Sequence, residues 1–252
     1  MKYFLIMINF TYLFSITGLE LATKMENRPK PIDIKSQSSM VLNNIDKKRT
    51  RTLKLINKSM DNSKKQMIWF LEPKDDYGIA FLKIEKDNED DFMNMWLPGF
   101  NKTRRISSAK KTDSFMGSDL SFEDMTNRDL DEYTFEILDD NAKYSNDNDV
   151  MCYILSSIPK DPYSEYSMHK TWVDTSNFLA LKEESYDKDN KILKTKKIGY
   201  QKIENFHIMN FLEVKNVQKN HSTILSIENI QINNGYSENM FHSKNLKRMP
   251  LD

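Results

Sequence analysis

The chain has few of the residue types that build several common kinds of site. Its single cysteine, Cys152, cannot form a disulfide within the chain, and apolar neighbours predict a buried, inert thiol. Six glycines leave little material for phosphate-binding loops, and no nucleotide-binding, metalloprotease or serine-hydrolase motif occurs. The four histidines lack ligand spacing. We therefore expect a protein that is not an enzyme and has neither a metal site nor a cofactor.

The charges of the chain cancel. It carries 37 Lys and Arg against 37 Asp and Glu, so no overall field attracts nucleic acid or an anionic membrane. The basic run at 47–51 alternates with threonine and is typical of a solvated strand face or a protected edge. Fourteen Phe, 11 Tyr and 15 Met supply enough apolar surface for a substantial core. Any partner must therefore be recognised through shape and apolar contact.

The N-terminus resembles a signal for export. Lys2 precedes an apolar run at 3–16 that is short for a membrane span but suits a signal peptide over 1–17. No small-x-small pair follows cleanly, so an uncleaved anchor or a different start codon are the alternatives. No cysteine follows the run, so the protein itself should carry no lipid anchor. We expect a periplasmic protein with a single domain at 18–252.

Most of the chain is predicted to form short strands separated by polar turns. The pattern at 17–28 predicts one amphipathic helix, which Pro29 and Pro31 end. Residues 175–177 and 186–192 are typical of hairpin connections, and 139–149 of a long mobile loop. Strands are predicted at 38–42, 49–56, 66–71, 79–85, 92–97, 102–107, 150–156, 169–174, 180–187, 192–203, 207–214 and 223–232.

A central segment at 113–125 differs from the strands. Ser121 and Asp124 have the spacing of a capping box, so we predict a short helix or ordered loop lying in the concavity of the sheet. Charged residues gather here, and a structural ion-pair network explains them better than acid–base catalysis does. The predicted network consists of Arg104, Arg105, Asp113, Asp119, Glu123 and Asp124.

Large flexible apolar residues are frequent near this segment. Methionines and aromatics suit a surface that accepts ligands of variable shape, although ordinary core packing also explains them. The residues predicted to form a ligand-binding cavity and its plug are Met93, Met95, Trp96, Phe115, Met116, Leu120, Phe122 and Met125.

An ordered series of motifs resembles one known family. It comprises WFLEP at 69–73, GIAFL at 78–82, MWLP at 95–98, RRISS at 104–108 and DSFMGSDLSFED at 113–124. The chain is similar, from about 18 to 246, to the bacterial outer membrane lipoprotein-sorting proteins, a branch of the LolA/LolB-like superfamily. The series is specific to the family and says little about the cargo, the transporter or the direction of transfer.

The resemblance implies a mainly β (α+β) fold: an incomplete antiparallel β-barrel, with an N-terminal helix and short helices closing an apolar concave face. It implies a monomeric periplasmic chaperone-like carrier that binds the acyl chains of lipoproteins or lipids and moves them toward the outer membrane, with an RND/MMPL-type inner-membrane transporter as a further partner. The alternative is a non-enzymatic adaptor or accessory subunit of an RND/MMPL-type envelope export complex.

Overall fold

The computed structural model describes residues 16–45, 47–60, 63–86, 89–145 and 149–249. The expected signal peptide at 1–17 lies outside these residues except for its last two positions. One α-helix, α1, spans Gly18–Glu26. The strands are β1 (Asp33–Asn43), β2 (Lys48–Met60), β3 (Ser63–Glu72), β4 (Ala80–Lys86), β5 (Phe92–Leu97), β6 (Lys102–Ile106), β7 (Tyr133–Ser145), β8 (Asp149–Pro159), β9 (Met168–Asp174), β10 (Ala180–Tyr186), β11 (Ile192–Ile203), β12 (Phe206–Asn216) and β13 (His221–Ile232). Short 3₁₀ helices span Pro98–Phe100, Ser108–Lys110, Glu123–Met125, Glu238–Met240 and Ser243–Lys247.

All 13 strands form one antiparallel sheet. Their spatial order is β6-β5-β4-β3-β2-β1-β13-β12-β11-β10-β9-β8-β7, so chain neighbours pair except where β1 meets β13. Within the described residues β6 and β7 each pair on one side only, and the sheet is not closed. The predicted mainly β, unclosed antiparallel architecture with an N-terminal helix is confirmed, as are the hairpin connections at 175–177 and 186–192.

The predicted loop at 139–149 is wrong for 139–145 and 149, and residues 146–148 lie outside the described ones. Residues 139–145 belong to β7 and pair with β8 through Ala142↔Cys152 and Ser145↔Asp149. The strand is mostly exposed, because it lies at the sheet edge and bulges twice. Tyr133, Phe135 and Ile137 alternate with polar residues at the start of β7, but residues 139–145 show no such alternation, so their pairing was not visible in the sequence.

Helix α1 begins with the capping box that its sequence encodes. Glu20 N–H donates to Thr17 Oγ1 at 3.2 Å, and Thr17 N–H donates to Glu20 Oε2 at 2.8 Å. A Cβ at Gly18 would lie 2.5 Å from the backbone carbon of Phe135, so only glycine permits this approach to β7. Leu21 and Ala22 are buried against β8 and β9, which confirms a helix packed on the core. Among the helices of the described residues, none is long and apolar enough to cross a membrane.

The register of the strands defines two faces. Directly opposed residues share a face, and the ladder from Leu155 through Thr171, Glu183, Lys196, Val214 and Thr223 ends at Leu42. We call this the inner face, because α1 and residues 113–125, the inner loop, pack on it. The outer face carries a second core under the C-terminal 3₁₀ helices, which cover this face rather than the concave one.

The sheet curls around the inner loop. Two consecutive loop residues bond to distant strands: the Asp124 carboxylate to Lys194 and Lys196 of β11, and the Met125 carbonyl to Lys83 of β4. These strands are six places apart in the sheet, which is about 29 Å if the sheet were flat. Side chains cannot bridge that distance, so the inner face is strongly concave.

Candidate functional site

The inner loop folds back on itself. Phe115 N–H donates to the Leu120 carbonyl at 2.7 Å, and Ser114 and Ser121 form a β-bridge. The tip reverses at Met116 (φ 54°) and Gly117 (φ 73°), in the left-handed region that glycine favours.

The capping pattern predicted for this segment is present. Asp124 N–H donates to Ser121 Oγ at 3.2 Å, and Ser121 N–H donates to Asp124 Oδ2 at 2.9 Å. The helix that follows is a single 3₁₀ turn, Glu123–Met125, within an otherwise irregular ordered loop.

The loop places two phenylalanines in the concavity. The Phe115 ring centroid lies 5.2 Å from that of Phe81, 5.7 Å from Phe122 and 6.2 Å from Phe70, and Phe115 is 1% exposed. Each such aromatic pair contributes about 0.5–1.5 kcal/mol beyond its buried area. The candidate residues Phe115, Leu120, Phe122, Met93 and Met95 share this buried cluster, with Met116 and Met125 half-buried against it. The loop therefore fills the apolar half of the inner face.

Trp96 lies apart from the other candidates. It opposes Ala80 on the outer face, packs in the cluster of Phe241 and Leu246, and has Lys247 Nζ 4.5 Å from its ring centroid. Successive residues of a strand point to opposite faces, and both faces of β5 are apolar, so the sequence does not assign Trp96 to a face. Its inclusion among the inner-face residues is wrong.

Buried ion pairs hold the C-terminal end of the inner loop. Lys194 Nζ lies 2.9 Å from Asp124 Oδ2 and Lys196 Nζ 2.7 Å from Asp124 Oδ1, while the Tyr166 hydroxyl donates to Oδ2 at 2.9 Å. Burial by itself would raise the pKa of Asp124, but the two lysines and the Ser121 N–H hold it well below its usual range. Asp124 is therefore a buried carboxylate that stays charged.

Further buried charged residues lie beside these ion pairs on β9–β11. Arg128 donates to both carboxylate oxygens of Glu183, at 2.7 and 2.8 Å. Lys196 Nζ lies 3.0 Å from Glu183 Oε1. Although burial opposes ionisation, these cations keep the pKa of Glu183 well below its usual range. Burial first, and the charge of Arg128 second, depress the pKa of His169 strongly, so its imidazole is neutral.

The expectation of a wholly apolar concave face is therefore wrong for this half of the sheet. Glu183, Lys194 and Lys196 lie on the inner face and are 10% exposed or less, whereas apolar side chains were expected there. In sequence they alternate along their strands just as a solvated face does. Their partners Asp124 and Arg128 come from the inner loop and the residues after it, which no local pattern shows.

The predicted ion-pair network is not assembled as expected. Within the described residues Arg104 and Arg105 pair with none of the predicted acids; both are exposed on β6, and Arg105 lies 4.6 Å from the Phe92 ring centroid. The Asp113 side chain is exposed. Strand β6 is an edge, so its arginines reach solvent more readily than the loop.

The remaining predicted acids bond elsewhere. Asp119 accepts from Thr223 Oγ1 at 2.7 Å and lies 2.6 Å from His221 Nδ1. Glu123 accepts from the Ser164 hydroxyl and, at 3.1 Å, from Glu165 N–H. Both contacts join the loop to other parts of the chain.

Two cations that sequence reasoning passed over also hold the loop. Arg51 donates to Asp76 Oδ2 at 2.6 Å and to the Met116 carbonyl at 2.7 Å, and Lys83 donates to the Met125 carbonyl. Arg51 belongs to the basic run that suggested a solvated strand, yet it is 6% exposed. The periodicity of β2, with Leu53 on the same face two residues later, was the available signal.

A cavity of about 410 Å³ lies on the inner face beyond the loop. Its apolar wall includes Ile34, Leu55, Ile208, Met209 and Ile227 from β1, β2, β12 and β13. Leu55 and Met209 also touch the cluster that holds Phe115, so the cavity continues directly into the space that the loop fills. We call it the inner cavity.

A second cavity, of about 400 Å³, has the opposite character. It lies between the ends of β5–β6 and β7–β8 and is lined by eight carboxylates and one lysine. Burial, then repulsion from Glu85, raises the pKa of Asp91 in its wall to about 7. Within the described ranges no group of three or more His, Cys, Asp or Glu side chains is placed to hold a metal ion.

The chain matches one family model and is similar to several solved structures. A family model described only as "-like: Uncharacterized protein" matches residues 62–248. A solved domain assigned to the outer membrane lipoprotein-sorting proteins, from Vibrio parahaemolyticus, is 29% identical, with a TM-score of 0.85 over 92% of this chain and 98% of that one. A DUF1329 family protein from Desulfovibrio piger is 29% identical, with a TM-score of 0.84 over 91% and 97%.

A more distant structure shares the fold. A LolA superfamily protein from Nitrosomonas europaea is 17% identical, with a TM-score of 0.69 over 91% of this chain and 99% of that one. No curated protein sequence matches the chain.

Proposed function

Since the chain belongs to the outer membrane lipoprotein-sorting proteins of the LolA/LolB-like superfamily, we propose that it is a periplasmic carrier of acyl chains, which it binds on the inner face and moves toward the outer membrane. The observation that carries this proposal is the inner cavity, which has an apolar wall beneath a polar rim and is continuous with the loop-filled cluster. Its volume of about 410 Å³ falls within the range of small-ligand sites.

An acyl chain gains free energy in such a space without a charged partner. Each buried methylene contributes about 0.8 kcal/mol, so even part of one chain binds appreciably. The rest of the acyl chain takes the place of Phe115 and Leu120, and it replaces the contacts of Phe115 with Phe70 and Phe81. The inner loop acts as a plug, which keeps the empty concavity from exposing a large apolar patch.

The attachment of the loop fits this role. Asp124 is fixed by two buried lysines, whereas the arm from Phe115 to Leu120 is held by apolar contacts, by Asp119, and by the Arg51 bond to the tip. The arm can leave the concavity while the Asp124 end stays in place. The titratable groups Asp124, Glu183 and His169 bond to neighbouring side chains and lie outside the lining of the inner cavity.

The proposal is tested by lipid transfer. Protein purified in mild buffer is examined by native mass spectrometry for bound lipid, and then mixed with donor vesicles that contain a pyrene-labelled phospholipid and with unlabelled acceptor vesicles. We expect bound lipid and protein-dependent transfer. Ile227→Asp should reduce transfer at least tenfold, because it places an unpaired charge in the cavity wall.

A matched control lies on the same strand. Ile224 is also half-buried but opposes Val41 and Glu213 on the other face, so Ile224→Asp should leave transfer near the wild-type rate. Folded wild-type protein that neither contains nor transfers lipid would refute the carrier function.

The filled concavity also favours a second candidate function. Phe115 and Leu120 are buried as completely as ordinary core residues, which suits an adaptor of an RND/MMPL-type export complex whose inner face never opens. In that case the protein would co-isolate with an inner-membrane transporter, and lipid transfer would be absent.

A further inference from the structure

Charge is distributed unequally between the two cavities of a chain whose net charge is zero. The inner cavity is lined by six cationic side chains and two carboxylates, whereas the other cavity is lined by eight carboxylates and one lysine. The six cations of the inner cavity are Arg28, Lys30, Lys58, Lys64, Lys65 and Lys83.

Most of these cations lie where the cavity meets solvent. The side chains of Lys30 and Lys64 are 39% and 32% exposed, and they share one carboxylate, Glu26, at 3.2 and 2.7 Å. Lys65 pairs with Glu238 at 3.1 Å. Three lysines are thus balanced by two acids.

Two cations of the rim pair with no carboxylate of the described residues. Arg28 donates its Nε–H to the Met25 carbonyl at 3.2 Å, and its guanidinium carbon lies 5.8 Å from the Tyr200 ring centroid. Within the described ranges neither Arg28 nor Lys58 forms an ion pair. Lys58 opposes Asp33 and Lys65 on the outer face, but it lies near the end of β2, where it lines the mouth of the cavity. Both guanidinium and ammonium groups bind phosphate oxygens well, the first with paired donors and the second as a point charge.

The inner wall also carries unsatisfied hydrogen-bonding groups. Asn57 and Gln66 face each other across β2 and β3, and both line the cavity. Their side-chain oxygens are buried and accept no hydrogen bond within the described residues. Buried amide oxygens normally have a partner, so these two indicate a ligand with hydroxyl or similar donors above the apolar wall.

We propose that the rim of the inner cavity, chiefly Arg28 and Lys58, binds the anionic headgroup of a phospholipid whose acyl chain occupies the cavity. This inference rests on the carrier function and specifies which lipids that carrier prefers. The Asn57 and Gln66 oxygens accept hydrogen bonds from headgroup hydroxyls. The acidic cavity repels the same headgroup, so the lipid enters in one orientation.

The test compares two soluble lipids that share one palmitoyl chain. Binding of lysophosphatidylglycerol and lysophosphatidylcholine is measured by native mass spectrometry and calorimetry. Two cations that attract the anionic headgroup should favour the anionic lipid by at least about tenfold in Kd. The preference should weaken as salt is added, since the rim is partly exposed.

Paired variants assign the preference to the rim. Arg28→Gln/Lys58→Gln should bring the two Kd values within about twofold of each other and leave lysophosphatidylcholine binding unchanged. Lys48→Gln/Lys102→Gln removes the same net charge from exposed sites outside the cavity and should keep the wild-type preference. If the double variant does not fold, Lys58→Gln alone should lose part of the preference.

The outcomes separate the two proposals. Binding of neither lipid refutes the carrier function itself. Equal affinity for both lipids in the wild type, or a preference that survives Arg28→Gln/Lys58→Gln, refutes only the headgroup site. Saturable binding of glycerol 3-phosphate as tight as that of the lysolipid would show a site for a soluble phosphate and would overturn the lipid proposal.

Discussion

Lys196 Nζ lies 2.7 Å from Asp124 Oδ1, with the lysine side chain 10% exposed and the aspartate 1%. This pair joins β11 to the inner loop from inside the sheet, and Glu183 and Arg128 extend it. A buried pair of this kind costs desolvation free energy when it forms, and removing Asp124 leaves Lys194 and Lys196 with one carboxylate each, Glu165 and Glu183. The geometry of the loop therefore depends on a few polar residues as well as on its phenylalanines.

Asp124→Asn should destabilise the protein strongly. It leaves Lys194 and Lys196 with no charged partner in the loop, and breaking a buried pair typically costs about 3–5 kcal/mol. The measurement is the free energy of unfolding in urea. The exposed Asp113→Asn variant of the same loop should stay within about 0.5 kcal/mol of wild type. Equal stability of both variants would mean that the pairs do not hold the loop.

Phe115→Ala should lower stability and strengthen binding of an apolar probe. Deleting a buried phenylalanine costs about 3–5 kcal/mol and leaves an apolar space beside the inner cavity. Affinity for a fluorescent fatty acid should rise several-fold, because the probe no longer has to displace the ring. Unchanged or weaker probe binding by a folded variant would contradict the plug role.

Trp96→Ala removes a large aromatic group from the other face. We expect a similar loss of about 3–5 kcal/mol in the free energy of unfolding, since Trp96 packs with Phe241 and Leu246. Probe affinity per folded molecule should not change, because the side chain does not line the inner cavity. A change in affinity comparable to that of Phe115→Ala would show that the two faces are coupled.

Asp91 should make stability depend on pH. Its pKa is raised to about 7 in the folded protein from an ordinary 3.8, so the folded state holds the proton more tightly than the unfolded state. Its contribution to stability is complete below about pH 4 and is lost as the pH rises to about 7.

The check is urea unfolding at several pH values. Between about pH 4 and 7 the stability of wild type should fall relative to that of Asp91→Asn, while Asp90→Asn, at an exposed neighbouring position, should follow wild type. Parallel curves for wild type and Asp91→Asn would rule out this carboxyl group as the source of the pH dependence.

The sequence predicts the strands that have one apolar face and the turns rich in Asp, Asn and Gly, because both follow from local chemistry. Burial of Cys152, whose pKa burial raises to about 11, was predictable in the same way. The second half of edge strand β7 was not predictable, since residues 139–145 pair through backbone hydrogen bonds and carry no apolar alternation.

The polar half of the site could not be predicted from the sequence, for a different reason. Lys194 and Lys196 look like solvated residues until the sheet curls and brings Asp124 beside them, and that contact spans 70 residues of chain. Trp96 lies on the face of β5 that the C-terminal segment covers, and β5 alone does not show which of its two faces the inner loop covers. Both features follow from long-range packing, which no window of the sequence contains.

The gap between β6 and β7 has a mechanical consequence. In a closed barrel the strand number and stagger fix the diameter, whereas here no backbone ladder joins these two strands within the described residues. Side-chain contacts such as Lys111 with Asp161 join the two halves near this gap. We therefore expect a bulky ligand to separate β6 from β7 by breaking side-chain contacts, including those of the inner loop with Lys83, Lys194 and Lys196, while every ladder between neighbouring strands remains intact.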